Sequence, residues 1–423
     1  MKKKILLISS IAILLGTGSC VKTTPDTYFN DLSHRGSFSA EFDNYFSPGE
    51  TGIMIFLSDL SGNLLAEANL AGKTSVYLYP PSGTLFPELM VETLVYKGPA
   101  TGGKSTVYLY TYLKILPADW IWTTFINDSV GFTNLHFSGI PSQTAFGISS
   151  NFQWIHGDTL PPVLTIGLGR DPDNVYVMLN TGTTGYRYKW LTGLNVMNNY
   201  PVNLASMDLP LHKTIPIPLT STLSYRLSGY LPGGEHAKGL YTLDYGDVTG
   251  TLTDSITLHY PETLFSDFQF YINTFDPSDP RKQWYQYDFG LIPNRIDHLA
   301  GNIVVLDSTP AHYQVQTSGT FDRLGSTWGC NPLGPYRYQW TVYGAPSSTS
   351  FKFPTLPADL ASQFTGFSVD SLKLSSVEIK DFSGIDNYDD LIKSMFVSGK
   401  YIANIVPKYS GLIYYISPSK SRK

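Results

Sequence analysis

Apolar residues recur at every second position over much of this chain. In residues 52–58, Ile53, Ile55 and Leu57 fall on one face. A turn-forming run, Asp59-Leu60-Ser61-Gly62-Asn63, separates them from residues 64–70, which continue the pattern. Val76 and Leu78 alternate with Tyr77 and Tyr79. Val107, Leu109, Leu113 and Ile115 alternate with Tyr108, Tyr110 and Tyr112. A period of two means side chains pointing in turn toward a core and away from it. Breaks of Gly, Pro and Asn every ten residues or so give the rhythm of short strands in a sandwich. Residues 37–127 are therefore expected to form an immunoglobulin-like β-sandwich.

A second β domain is expected over 128–222, with strands at 163–167 and 175–179 and a Pro-rich exit from Pro210 to Pro218. Residues 223–423 form a larger β-rich C-terminal domain, with strand patterns at 224–229, 241–245, 268–275, 302–306 and 338–343. Helix signals are sparse. Residues 357–362 predict one or two turns. Residues 386–396 (DNYDDLIKSMF) predict the best helix, with acids at its start and Lys393 further in. The expected fold class is all-β: an N-terminal sandwich, then further β-sandwich or open-barrel-like domains, with very little helix.

The N-terminus follows another logic. Lys2, Lys3 and Lys4 precede a mostly apolar run over 5–16, then Thr17-Gly18-Ser19 and Cys20. This order is that of an export signal with a small-residue cleavage site. The apolar run is shorter than the roughly 20 residues a spanning helix needs. Residues 17–20 resemble the lipobox of bacterial lipoproteins, in the looser form seen in Bacteroidota. That resemblance implies cleavage of residues 1–19, lipid attachment at Cys20 and a membrane held through the N-terminal lipid. Val21 follows where an Asp would resemble an inner-membrane retention signal, so an outer-membrane lipoprotein is expected, periplasmic or surface-exposed. Residues 20–36, polar and aperiodic, read as a tether. This anchor, the many prolines and a basic, non-aromatic C-terminus argue against an outer-membrane barrel.

Composition sharpens this picture. Removing residues 1–19 from the 423 leaves 404, with 26 Lys and Arg against 34 Asp and Glu. A mildly acidic chain without a large basic run is not expected to bind nucleic acid. Cys20 and Cys330 are the two cysteines, so lipidation of Cys20 leaves Cys330 without a disulfide partner. The 29 Tyr, 23 Phe, 37 Gly and 28 Pro suit strands and turns.

Gly98-Pro99-Ala100-Thr101-Gly102-Gly103-Lys104-Ser105 matches the phosphate-cradling P-loop pattern. That chemistry needs a helix after the loop, whereas a strand-like Thr106-Val107-Tyr108-Leu109-Tyr110 follows. Gly72-Lys73-Thr74-Ser75-Val76-Tyr77-Leu78-Tyr79 echoes the same motif 31 residues earlier, so a hairpin turn is expected at both places. Cys330 is read as a small buried hydrophobe. No Gly-x-Ser-x-Gly or clustered histidine ligands occur, and Glu235-His236 reads as a loop tip. Asp171-Pro172-Asp173-Asn174 and Asp276-Pro277-Ser278-Asp279 offer oxygens but do not match a Ca²⁺ loop. Most of Trp120, Trp122, Trp154, Trp190, Trp284, Trp328 and Trp340 are expected in cores. No catalytic residue, metal ligand or cofactor is therefore assigned.

The run Trp340-Thr341-Val342-Tyr343-Gly344-Ala345-Pro346, followed by Phe353-Pro354-Thr355-Leu356-Pro357, together with the lipobox and the sandwich-like start, resembles multi-domain β-rich Bacteroidota lipoproteins of unassigned function. The resemblance implies a non-catalytic envelope lipoprotein whose β modules serve binding, adhesion or scaffolding toward a glycan or protein ligand. A carbohydrate-binding or glycoside-hydrolase-like lipoprotein of a glycan-uptake system is the alternative.

Overall fold

The computed structural model describes residues 36–43, 45–47, 49–123, 129–141, 144–182, 185–232, 240–364, 366–398 and 402–417. Cys20, the signal, the tether up to residue 35 and Glu235-His236 lie outside the described residues. The first segment supplies β1 (Phe38–Asp43), β2 (Thr51–Ser58), β3 (Leu64–Asn69), β4 (Ser75–Leu78), β5 (Met90–Thr101), β6 (Lys104–Ile115) and β7 (Asp119–Thr123). A small sheet, β4-β1-β7, covers one face of β2, β5 and β6 around Phe38, Phe42, Ile55, Leu94, Trp120 and Trp122. The next segment supplies β8 (Gly131–Ser138), β9 (Ala145–Ser149), β10 (Trp154–Gly157), β11 (Val163–Leu168), β12 (Asp173–Asn180), β13 (Tyr186–Leu194) and β14 (Asn199–Asn203). Its two sheets, β10-β9-β12-β13 and β11-β8-β14, close on Leu135, Ile148, Ile166, Val177 and Leu194.

The remaining strands are β15 (Leu211–Tyr230), β16 (Leu240–Tyr260), β17 (Asp267–Phe275), β18 (Lys282–Gly290), β19 (Gly301–Asp307), β20 (Gln314–Gly319), β21 (Arg323–Cys330), β22 (Tyr336–Gly344), β23 (Lys373–Phe382) and β24 (Lys408–Tyr415). Helix is limited to short pieces, chiefly α1 (Ala358–Gln363) and α2 (Tyr388–Ile392), and α2 continues as a wider turn over Lys393–Val397. The chain is all-β with several packed sheets. Among the described residues no helix is long and apolar enough to cross a membrane.

One twelve-stranded sheet runs β16-β15-β17-β18-β24-β23-β21-β22-β6-β5-β2-β3. It is continuous because β22 pairs in parallel with β6, from Tyr336 opposite Ser105 to Tyr343 opposite Tyr112. Backbone hydrogen bonds thus join the N-terminal segment to the C-terminal strands, and position 222 falls inside β15. Both faces of the middle strands are covered. Met54, Phe56, Val107, Leu109, Trp328, Trp340 and Val377 form a core on one side, closed by the β19–β20 hairpin and residues 353–372. The aromatic core of the small sheet lies on the other.

Three expectations change. In β2 the residues between Ile53, Ile55 and Leu57 are buried too, because a second layer packs behind them. Ile115 does not share the face of Leu113. Lys114 sits at φ 56°, a bulge that turns Ile115 toward Tyr112 and Trp120. The Pro-rich stretch is strand, since Pro216 and Pro218 lie outward between buried Ile215 and Ile217. That half of β15 pairs with β16 and not with β17, so one edge needs no N–H donor.

A register row on the aromatic face runs Glu378, Gly325, Tyr343, Tyr112, Glu92 through β23, β21, β22, β6 and β5. Its two carboxylates have opposite surroundings. Arg323 Nη2 stands 3.0 Å and Lys380 Nζ 3.7 Å from Glu378, and the Tyr285 hydroxyl donates to the same carboxylate. Burial pushes Glu378 up, but Lys380, Arg323 and Tyr285 outweigh it and bring its pKa to about 2. Burial brings Lys380 down to about 8, against the pull of Glu378. Gly411 makes the arrangement fit, since a Cβ there would lie 2.4 Å from the Tyr285 ring. Glu92 is fully buried without a hydrogen-bond partner, and burial raises its pKa well above the usual value.

The two acids therefore predict opposite pH behaviour. Glu378→Gln leaves Arg323 buried without its anion and costs about 3 kcal/mol in urea unfolding at neutral pH. The deficit shrinks as pH falls from the unfolded value of 4.5 toward about 2, where the native carboxylate also protonates. Glu92→Gln raises the melting temperature at neutral pH. Its gain vanishes below 4.5 and grows as pH rises, because only an ionised unfolded Glu92 draws the native protein apart.

Candidate functional site

The P-loop match is a hairpin. Thr101 pairs with Lys104, and Gly102 and Gly103 take φ 61° and 79°, the left-handed pair a tight two-residue turn requires. Lys104 Nζ donates to Asn331 Oδ1 at 2.9 Å and Pro332 O at 3.0 Å. The earlier echo is a turn at Gly72, φ 66°, but β3 and β4 belong to different sheets, so it is not a hairpin. Cys330 is half-buried at the end of β21, and burial raises its thiol pKa, which disfavours a thiolate. Asp173 accepts from Gly169 N, Arg170 Nε and Asn174 N. Asp276 accepts from Ser278 and Asp279, while Asp279 pairs with Arg281. These loops bind their own donors, and among the described residues no group of three or more His, Cys, Asp or Glu converges.

Trp120, Trp122, Trp328 and Trp340 are buried, whereas Trp154, Trp190 and Trp284 are partly exposed. Tyr77 and Tyr79 are each 64% exposed on the outer side of β4.

Trp154 belongs to a concave site that the sequence did not single out. Where β9, β10 and β12 meet β16, a pit of about 120 Å³ is lined by Phe146, Trp154, Asn180, Tyr186, Asp244 and Tyr245, among others. Glycine at 147 opens it: a Cβ there would meet the Tyr245 ring at 3.3 Å and Trp154 Nε1 at 3.7 Å. The indole stacks on exposed His156 at 4.3 Å and meets Tyr245 edge-on at 4.9 Å. Trp154 Nε1 is buried and has no hydrogen-bond partner among the described residues. An unpaired buried donor costs stability, and here aromatic rings rather than acceptors surround it.

Asp244 anchors the floor. It is 4% exposed. Its Oδ1 accepts from Tyr245 N at 2.8 Å, and its Oδ2 from His259 N at 2.7 Å and His259 Nδ1 at 3.1 Å. Burial raises its pKa and the His259 bonds pull it back. The Tyr186 ring stacks on His259 at 3.6 Å. Asp244 is the single carboxylate among the lining residues, and its bonds hold the Tyr245 backbone and the His259 ring on which Tyr186 stacks. The arrangement presents aromatic faces and the Asn180 amide. It suits binding rather than acid–base cleavage, which takes two carboxyl groups.

The residues sequence reasoning missed here, Tyr186, Asp244, Tyr245 and His259, are brought together by sheet packing across more than seventy positions. The alternation of Tyr241, Leu243 and Tyr245 was visible; their opposite neighbours were not. Asp244→Ala strips three donors of their acceptor and is expected to cost about 2 kcal/mol in urea unfolding, with Asp244→Asn losing less. No protein-family model matches this chain, and no curated protein matches it significantly.

Proposed function

We propose that this chain is a non-catalytic lipoprotein of the bacterial outer membrane, anchored through Cys20, that binds a glycan at the Trp154 pit. The observation that carries the ligand is the pit itself. Sugars present apolar C–H faces and rings of hydroxyls, and an aromatic wall with a few fixed polar groups answers both. At about 120 Å³ the pit is smaller than a site that encloses a whole ligand, and it takes a single ring or chain end. The anchor reading rests on the order of basic, apolar and small residues before Cys20. Two or three acyl chains hold a protein stably, since each buried CH₂ contributes about 0.8 kcal/mol.

Glycan-array screening of the intact lipoprotein in non-ionic detergent tests the ligand. Trp154→Ala and Tyr245→Ala are each expected to weaken the best hit about tenfold, the equivalent of roughly 1.4 kcal/mol. Binding that survives both substitutions moves the ligand elsewhere. Labelling cells with radioactive palmitate tests the anchor: label enters the native chain and is lost in Cys20→Ala. Equal labelling of the two chains would sink the lipidation reading.

A further inference from the structure

We infer a second binding site, independent of the Trp154 pit, on the twelve-stranded sheet: a groove over β6, β22, β21 and β23 that takes an acidic oligosaccharide. Its geometry follows from register. Thr106 stands opposite Arg337, Gln339 opposite Gly329, and Gly329 opposite Lys373. Thr327 lies on the same face, two residues before Gly329. Directly paired residues point to one side of a sheet, so these side chains share a face. Gly329 contributes none and leaves a trough between Gln339 and Lys373. The groove has a volume of about 760 Å³ and is lined by Thr106, Thr327, Arg337, Gln339, Ser371 and Lys373, among others. That size lies within the range of ligand sites, whereas the Trp154 pit lies below it.

Charge selects the ligand. Among the described residues no carboxylate lines the groove. Among the described residues neither Arg337 nor Lys373 takes part in an ion pair. A third cation, Lys104, stands behind the lining Asn331, and the Arg337 guanidinium rests 3.6 Å from where a Gly102 Cβ would be. Two unpaired cations at one groove stand out in a chain whose net charge is −5. Two strand spacings and a two-residue offset set the Cα atoms of Arg337 and Lys373 roughly 12 Å apart. An extended chain with repeated acidic groups spans that distance and meets both cations.

The lining between the cations excludes other polyanions. Single-stranded nucleic acid binds through exposed aromatic platforms, and the rings here, Trp328 and Tyr338, are buried. Thr106, Thr327 and Gln339 instead offer hydroxyls and an amide, and Ser371 and Ser375, whose protons go to Ser368 O and Thr327 O, add acceptor oxygens, the partners of a polyol. Arg337 suits the planar oxygens of a carboxylate or a sulfate alike.

Binding of the intact lipoprotein to an oligogalacturonate, a sulfated galactan oligomer, a neutral β-glucan oligomer and single-stranded DNA tests this site. One or both acidic sugars are expected to bind, with affinity falling as salt rises. Which one binds tells carboxylate from sulfate. Arg337→Ala and Lys373→Ala each weaken that binding about tenfold. Gly329→Val is the decisive variant. A Cβ there meets nothing nearer than Tyr338 O at 3.6 Å, so the fold accepts it while the trough fills. It abolishes acidic-sugar binding with the melting temperature unchanged, and Trp154→Ala leaves that binding intact. Failure of both acidic sugars to bind, equal binding of the neutral oligomer, tighter binding of DNA, or indifference to Gly329→Val each overturns the inference.

Discussion

The parallel ladder between β6 and β22 is the constraint on which the rest of the molecule rests. It joins residues more than two hundred positions apart, a closure that contributes nothing until most of the chain has folded. Once made, it converts an N-terminal sandwich and a C-terminal sheet into one sheet with two buried faces. Trp340 on β22 then donates its indole N–H to Thr111 on β6 at 2.8 Å, and Thr111 bonds Thr93 on β5 at 2.7 Å. On the opposite face Tyr343 falls beside Tyr112. The short elements follow from this. Tyr388, Ile392 and Phe396, spaced by four, turn one side of α2 and its extension onto that aromatic core, and Phe396 stacks on Trp120 at 4.3 Å.

The same ladder explains how a chain with few charges sets two glutamates in one row, Glu92 buried and Glu378 partly so. Glu378 and Glu92 lie on one face, separated by Gly325, Tyr343 and Tyr112. At Glu378 the next positions along β21 and β23 bring in Arg323 and Lys380, whose cationic groups lie over aromatic rings as well. Arg323 stands 4.2 Å above Tyr343, and Lys380 stands 4.9 Å above Tyr285. The carboxylate stays ionised there because two cations and a hydroxyl are held against it. Glu92 has the rings without the cations, so neutral is its favoured form. Tyrosine makes both environments, which accounts for its abundance: a flat, mostly apolar body with one polar tip can cover a charge or a core.

The strand pattern was legible because period-two alternation is a local signal. Residues 241–245, 268–275 and 338–343 all fall inside strands, and both short helices overlap the stretches 357–362 and 386–396 where helix signals stood. What the sequence did not reveal is which strands pair. Pro216 and Pro218 read as an exit from structure, since local rules cannot tell an edge strand from a loop. Ile115 read as a partner of Leu113, since one residue in a left-handed bulge reverses the alternation without any glycine to mark it. The Trp154 pit was hidden for the same reason. Trp154 is one residue among seven tryptophans until Gly147, Asp244 and Tyr245 arrive from other strands.

The Gly-Gly-Lys turn shows how far a motif travels without its context. Read as letters, it promises a phosphate cradle, and that promise depends on backbone N–H groups at a helix start. The strand that follows spends those N–H groups on β5 and β22, so no cradle forms. What survives is the cation. The tight turn places Lys104 against Asn331 and Pro332, and the Arg337 guanidinium lies within contact distance of the same turn at Gly102. A turn that glycines make possible thus brings positive charge to one end of an open groove. The backbone N–H groups go to the ladder, and the lysine supplies charge without them.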